Sequence, residues 1–229
     1  METGLITTEI LKVLLWAIPV ALIMATLRSP WFKGLAGEAL VALAAKLRLP
    51  ASTYHRLHNV TLPTPDGTTQ IDHIFVSRYG IFVVETKNMK GWIFGGERQA
   101  QWTQKIYKRT FRFQNPLRQN YKHVKALESA LDVSPEHIHS VVVFNGASRF
   151  KTPMPANVTW GGAYITYIKS FTNPVLSESE VRDVLSQIKS GRLAPTRETH
   201  RQHVQQLRSR STPTGQRALR TSPNKRSPP

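Results

Sequence analysis

Residues 69–91, TQIDHIFVSRYGIFVVETKNMKG, read as two short apolar strands around a turn at Arg78, Tyr79 and Gly80. Side chains alternate along a strand. Ile81, Val83, Glu85 and Lys87 therefore share one side, and Phe82, Val84 and Thr86 the other. Charge spoils an apolar strand unless it is paired or binds something. Here a carboxylate and an ammonium emerge together at the end of the second strand, and Asp72 lies one strand away. Neighbouring acids raise each other's energy, and a divalent cation relieves that repulsion.

The chain has 229 residues and is 40% hydrophobic, enough for one domain of moderate size with appendages. It has no cysteine, which excludes a disulfide framework, a thiolate metal site and a cysteine nucleophile. With 31 Lys+Arg against 14 Asp+Glu the formal charge is +17. That points to a polyanionic partner, nucleic acid or an anionic membrane surface. The plain alternative is a basic tail of no particular use.

Residues 10–27, ILKVLLWAIPVALIMATL, are almost wholly apolar, with Lys12 the only charge. The run is near the lower limit for a helix that spans a bilayer, where Pro19 is tolerated. Arg28, Lys33, Lys46 and Arg48 follow it, so the positive-inside rule places the body of the protein in the cytoplasm. Residues 35–49 read as a helix whose only acid, Glu38, sits in the first turn. An extended segment follows at 54–62, then a turn over PTPDG at 63–67. Past the opening stretch, 91–96 and 99–107 read as further strands, a meander that suits a mixed sheet.

Asn115 and Pro116 open a helix with Leu117, Tyr121, Val124, Leu127 and Leu131 as its apolar stripe. Residues 138–145 read as a strand buried on both faces, and 164–168 as a weaker strand. SESE at 177–180 is a capping box that opens a helix to Gly191. Residues 198–210 suit a short helix, and the Ser, Pro and Arg-rich chain from Ser211 suits disorder. The expected division is an anchor at 1–32, a core at 33–145, its extension at 146–195 and a basic tail at 196–229.

Phosphodiester hydrolysis needs charge neutralisation at the phosphate, an activated water and help for the leaving oxygen. A hard divalent metal held by carboxylates supplies most of this. Asp72 and Glu85 are ligands of the right type, the carbonyl of Thr86 is a possible third, and Lys87 suits water positioning and charge stabilisation. A structural ion pair is the competing account of the same residues. Arg109, Arg112, Arg118, Lys122 and Lys125, interleaved with aromatic residues, suit phosphate contacts and base stacking, or else a solvated helix face. Trp92 and Trp102 suit the core, and His55, His58 and His73 match no zinc spacing.

Glu38, Asp72 and the run Glu85-Thr86-Lys87 resemble the PD-(D/E)xK nuclease superfamily. More narrowly, residues 69–96 and 115–119 resemble the nuclease-related domain family, NERD. The resemblance implies an α/β fold with a restriction-endonuclease-like mixed central sheet flanked by helices, and Mg²⁺-dependent (or Mn²⁺-dependent) cleavage of DNA. It implies that Asp72 and Glu85 bind the metal, that Lys87 is the motif lysine, and that Glu38 assists from its helix. Gln119 falls where the family has a polar residue facing the site. Ile71 stands where the superfamily name has proline. The expectation is a nuclease held at the inner (cytoplasmic) membrane by residues 10–27. Its alternatives are a non-catalytic nucleic-acid-binding protein of the same fold and an adaptor for acidic lipid or protein.

Overall fold

Two hairpins that share a strand open the first sheet. β1 (His55–Thr64) turns at Pro65 and Asp66 into β2 (Gly67–Ser77), which turns at Arg78 and Tyr79 into β3 (Gly80–Asn88). The second turn needs Gly80, whose φ is +128°, and an added Cβ there would meet His139 at 2.8 Å. The computed structural model describes residues 2–194, so the expected helix at 198–210 and the tail lie outside the described residues.

Two helices precede the hairpins, α1 (Glu2–Arg28) and α2 (Pro30–Arg48). After β3 come β4 (Gly91–Phe94), β5 (Gln101–Ile106), β6 (Arg109–Gln114), α3 (Pro116–Glu128), β7 (Ile138–Asn145), β8 (Ser148–Phe150) and β9 (Val158–Trp160). α4 (Ala163–Lys169) and α5 (Glu178–Gly191) complete the described chain. The strands form two mixed sheets, ordered β1-β2-β3-β7-β9 and β6-β5-β4-β8. β3 pairs with β7 and β7 with β9 in parallel; the hairpins are antiparallel. The expected mixed sheet is therefore present, but the meander is divided between two sheets.

The central strands are apolar on both sides because both are covered. Ile81 and Val83 pack with Val124 and Leu127 of α3 and Val181 and Val184 of α5. Phe82 and Val84 face Val41 and Ala45 of α2 and Tyr164 of α4. Each fully buried Val, Leu, Ile or Phe among them contributes about 1.5–3 kcal/mol. Asn115 caps α3 by accepting from Leu117 N at 2.9 Å, and Ser177 and Glu180 form the expected capping box on α5.

Several expectations change. Residues 164–168 are helical, in α4: Tyr164, Ile165 and Ile168 bury one side of a turn, a spacing too short to separate from a strand by pattern. α2 starts at Pro30, capped by Ser29, so Glu38 sits mid-helix rather than in the first turn. Arg109 and Arg112 lie on β6, a strand the sequence reading did not separate from the basic helix. α3 is rotated from the expected stripe: Tyr121 is 59% exposed, and Asn120 and His123 are buried in its place. Among the described residues no single helix is long and apolar enough to cross a membrane. Leu15–Arg28 and Phe32–Arg48, bent by 61°, pass that test only together.

Asn120 shows why a polar side chain occupies the buried face. Its Nδ2 donates to Val83 O at 2.9 Å, Ser140 Oγ at 2.8 Å and Val141 O at 3.1 Å, tying α3 to β3 and β7. Asn120→Ala leaves those acceptors short of a donor, and the expected loss of stability is roughly 1–3 kcal/mol. Urea unfolding followed by tryptophan fluorescence checks this; an unchanged midpoint refutes it.

Candidate active site

The β2–β3 ladder runs from Ser77 and Gly80 to His73 and Val84 and ends there, while β3 continues along β7 to Asn88. On its other side, β2 pairs with β1 at His73 and again at Ile71, with Asp72 between those pairs. Asn59, in β1 between the same pairs, adopts φ +52°. Asp72 thus stands where the sheet forks. Its Oδ2 accepts from Thr86 N at 2.8 Å, replacing the lost ladder partner of that amide. In an antiparallel strand a residue's N–H and C=O face the same neighbour, so the Thr86 carbonyl also faces the opened edge.

Glu85 lies on the α3 face of β3 and is 3% exposed. Lys87 Nζ donates to its Oε1 at 2.6 Å and to Gln119 Oε1 at 2.8 Å. His123 Nε2 is 3.1 Å from Glu85 Oε2, and His123 Nδ1 is 2.7 Å from Thr69 Oγ1. A carboxylate only accepts, so Nε2 carries the proton, and in the neutral ring Nδ1 accepts from the Thr69 hydroxyl. Gln119 and His123 are one helical turn apart and reach the strand from one side of α3.

Glu38 arrives from the opposite face. Asn145 Nδ2 donates to Gly37 O at 3.1 Å, and Asn88 Nδ2 donates to Lys33 O, which ties α2 to the ends of β3 and β7. A Cβ on Gly37 would lie 2.7 Å from that of Asn88, so glycine is what permits the close approach. Burial, then the Glu85 charge, raises the Glu38 carboxyl above its ordinary value. Burial pushes Asp72 well above its own, and the charges of Glu85 and Glu38 add to this against the Thr86 hydrogen bond and Lys87. Burial also pushes Glu85 up, but Lys87 and His123 outweigh it and hold that acid below its ordinary value.

The structure therefore brings together Asp72, Glu85, Thr86, Lys87 and Gln119, with Glu38 close enough to act electrostatically on both acids. All are hard oxygen donors except the lysine, and their mutual repulsion is what a divalent cation relieves, so the set fits Mg²⁺ or Mn²⁺ in kind. Among the described residues, no three His, Asp or Glu side chains stand ready as a finished metal cage. Both Glu85 oxygens are engaged by Lys87 and His123 instead.

The predicted phosphate-binding residues are spread over two elements. Arg118, Lys122 and Lys125 are exposed on α3; Arg118 donates to Arg98 O at 2.8 Å, and Lys125 is held by Glu128. Arg109 and Arg112 lie on the second sheet. Trp102 is fully buried as expected, whereas Trp92 is 46% exposed. His58 and His73 meet at 2.7 Å between their Nδ1 atoms, and burial, with His58, lowers His73 to about 3. Sequence reasoning missed Thr69, Asn120 and His123. The only available signal was that Gln119 and His123 are spaced for one helix face.

The nuclease-related domain profile matches residues 33–145. A protein of Bacillus anthracis described only as uncharacterized is 38% identical over 189 residues, covering 79% of this chain and 86% of its own length.

The raised Asp72 carboxyl makes a signed prediction. The folded state holds the Asp72 proton to higher pH than the unfolded chain, so stability falls as pH rises from 3.8 through the raised value. Asp72→Asn keeps an acceptor for Thr86 N and removes this titration. Thermal melts should show the variant more stable than wild type at neutral pH, with the gain vanishing below the ordinary aspartate value. A variant less stable at neutral pH contradicts the electrostatic account.

Proposed function

The chain belongs to the nuclease-related domain family, and on that premise we propose that it is a metal-dependent nuclease that hydrolyses phosphodiester bonds of DNA. The observation that carries this reading is the convergence of Asp72, Glu85, Lys87 and Gln119 at the fork between β2 and β3, with Glu38 behind them. A restriction-endonuclease-like core is the reading we give to the central sheet and its covering helices.

Asp72, Glu85 and the Thr86 carbonyl would hold Mg²⁺ or Mn²⁺, with Glu38 assisting. Such an ion, when bound, supplies phosphate neutralisation and a more acidic water. The protein's own groups do the rest. Lys87 donates hydrogen bonds to Glu85 and Gln119, and we assign it the positioning of water and the stabilisation of charge rather than the role of a base. Gln119 holds the ammonium in place. His123 closes the far side of Glu85 and, bound to Thr69, fixes the orientation of the carboxylate. Arg118 and Lys122, exposed on α3, suit contacts to the phosphate backbone.

We also place the protein at the inner (cytoplasmic) membrane, with residues 10–27 as a single-pass anchor and the core in the cytoplasm. Support comes from the apolar side chains left exposed on α1, among them Leu15 at 70%, Trp16 at 76% and Leu22 at 64%. A second reading, a non-catalytic nucleic-acid-binding protein or adaptor at the membrane, is favoured by one observation. Both Glu85 oxygens are already engaged, one by the Lys87 ammonium and one by His123 Nε2.

Cleavage separates the two readings. The full chain in detergent is expected to nick plasmid DNA with Mg²⁺ and not with EDTA. Lys87→Ala should lower the rate by about 10²–10³-fold while leaving binding largely intact. Retained cleavage in that variant rejects the assignment. Binding that survives Asp72→Ala, with no cleavage by the wild type, selects the second reading.

A further inference from the structure

The four strands of the second sheet carry Lys105, Arg109, Arg112 and Arg149 and not one Asp or Glu. No two of these cations are cross-strand partners, so the ladders hold the charges without direct like-charge pairing. Three of the four share the face of a tryptophan; Arg109, opposite Ile106, lies on the other. Trp92 of β4 is flanked by Lys105 across one ladder and Arg149 across the other. Cross-strand partners share a face, so both project beside the ring, on the side opposite Ile93 and Trp102. Lys151 Nζ stands 4.7 Å from the Trp92 ring centroid. Arg112, opposite Thr103, extends the row on the same face.

A cleft of about 500 Å³ opens beside the ring, bounded by Lys90, Lys105 and Tyr107. Tyr107 tips the β5–β6 hairpin, 94% exposed and at φ +51°, a conformation in which glycine is the ordinary choice. Basic side chains interleaved with exposed rings are the construction by which proteins grip unpaired strands: the rings stack on bases and the cations take phosphates. A duplex keeps its bases stacked on one another and offers the ring no such partner.

We propose that this face of the second sheet binds single-stranded nucleic acid, with Trp92 stacking on an unpaired base and Lys105, Arg149 and Lys151 contacting the flanking phosphates. The choice of nucleic acid as the polyanion rests on the nuclease reading; the site itself is separate from the fork. β4 starts four residues after Lys87, at most roughly 14 Å of extended chain. One strand is therefore able to lie across both.

The test uses the full chain in detergent with EDTA, so that no cleavage intervenes. Fluorescence anisotropy compares a labelled oligothymidylate with a labelled hairpin duplex. Trp92→Ala is expected to weaken single-strand binding by about five- to a hundredfold and to leave duplex binding unchanged, with Trp92→Phe restoring most of the affinity. Lys105→Glu combined with Arg149→Glu should flatten the salt dependence by a slope of about 1.4. If Trp92→Ala fails to fold, the phenylalanine and charge-reversal variants decide. Unchanged single-strand affinity in the charge-reversal variant, or equal losses for strand and duplex in Trp92→Ala, overturns the proposal. So does capture of phosphatidylglycerol vesicles through these residues with no binding of the oligonucleotide. A failed nuclease reading would show itself elsewhere, as cleavage unaffected by Lys87→Ala with Mg²⁺.

Discussion

Glu85 carries a negative charge where water does not reach it. An unpaired ion in that position costs several kcal/mol, and the neighbouring acids make it worse. Lys87 on one oxygen and His123 on the other offset that penalty. Much of the architecture follows from keeping those two partners in place. α3 must lie along β3 at a fixed rotation, so its start is pinned by Asn115, whose Nδ2 donates to Gly96 O, Glu97 O and Gln99 O. Its middle is pinned by Asn120. Thr69 then ties His123 back to β2, so the ring cannot turn away from the carboxylate.

The second constraint is the parting of β2 and β3. A continued ladder would pair Thr86 with the backbone of β2; the fork instead gives its amide to Asp72. That single hydrogen bond holds an acid beside Glu85 against their mutual repulsion. Gly37 does the corresponding service from below, since the absence of a side chain lets α2 carry Glu38 up to the same place. Three acids are thus crowded where folding alone would separate them. Arrangements that oppose stability in this manner concentrate at sites of function.

The sheet's opposite margin follows a different rule. Trp102 fills the space between the two sheets, with Ile93, Val142 and Phe144 around it, and needs glycine at position 95 for clearance. Trp92 lies ten residues earlier on the neighbouring strand and on the other face. Equal residue types at similar spacing therefore take opposite fates, one as core and one as surface. The pleat of the sheet and the side on which the first sheet lies decide between them.

The residues alone determined the hairpins around Gly67 and Gly80, the buried strand at 138–145, the caps at Asn115 and Ser177, and the sharing of one strand face by Glu85 and Lys87. Each of these is local: turn geometry, capping and period-2 alternation act over a few bonds and leave their pattern in the chain. Only the tertiary structure decided that Asn120 and His123 turn inward while Tyr121 turns out, that Glu38 comes close to the other two acids, and that 164–168 is a helix. A polar residue in a helix reads as solvent-facing until something across the fold needs its hydrogen bond. The partners of these side chains, Val83, Val141, Thr69 and Glu85, are 37, 21, 54 and 38 positions away, a distance at which no local pattern along the chain records the need.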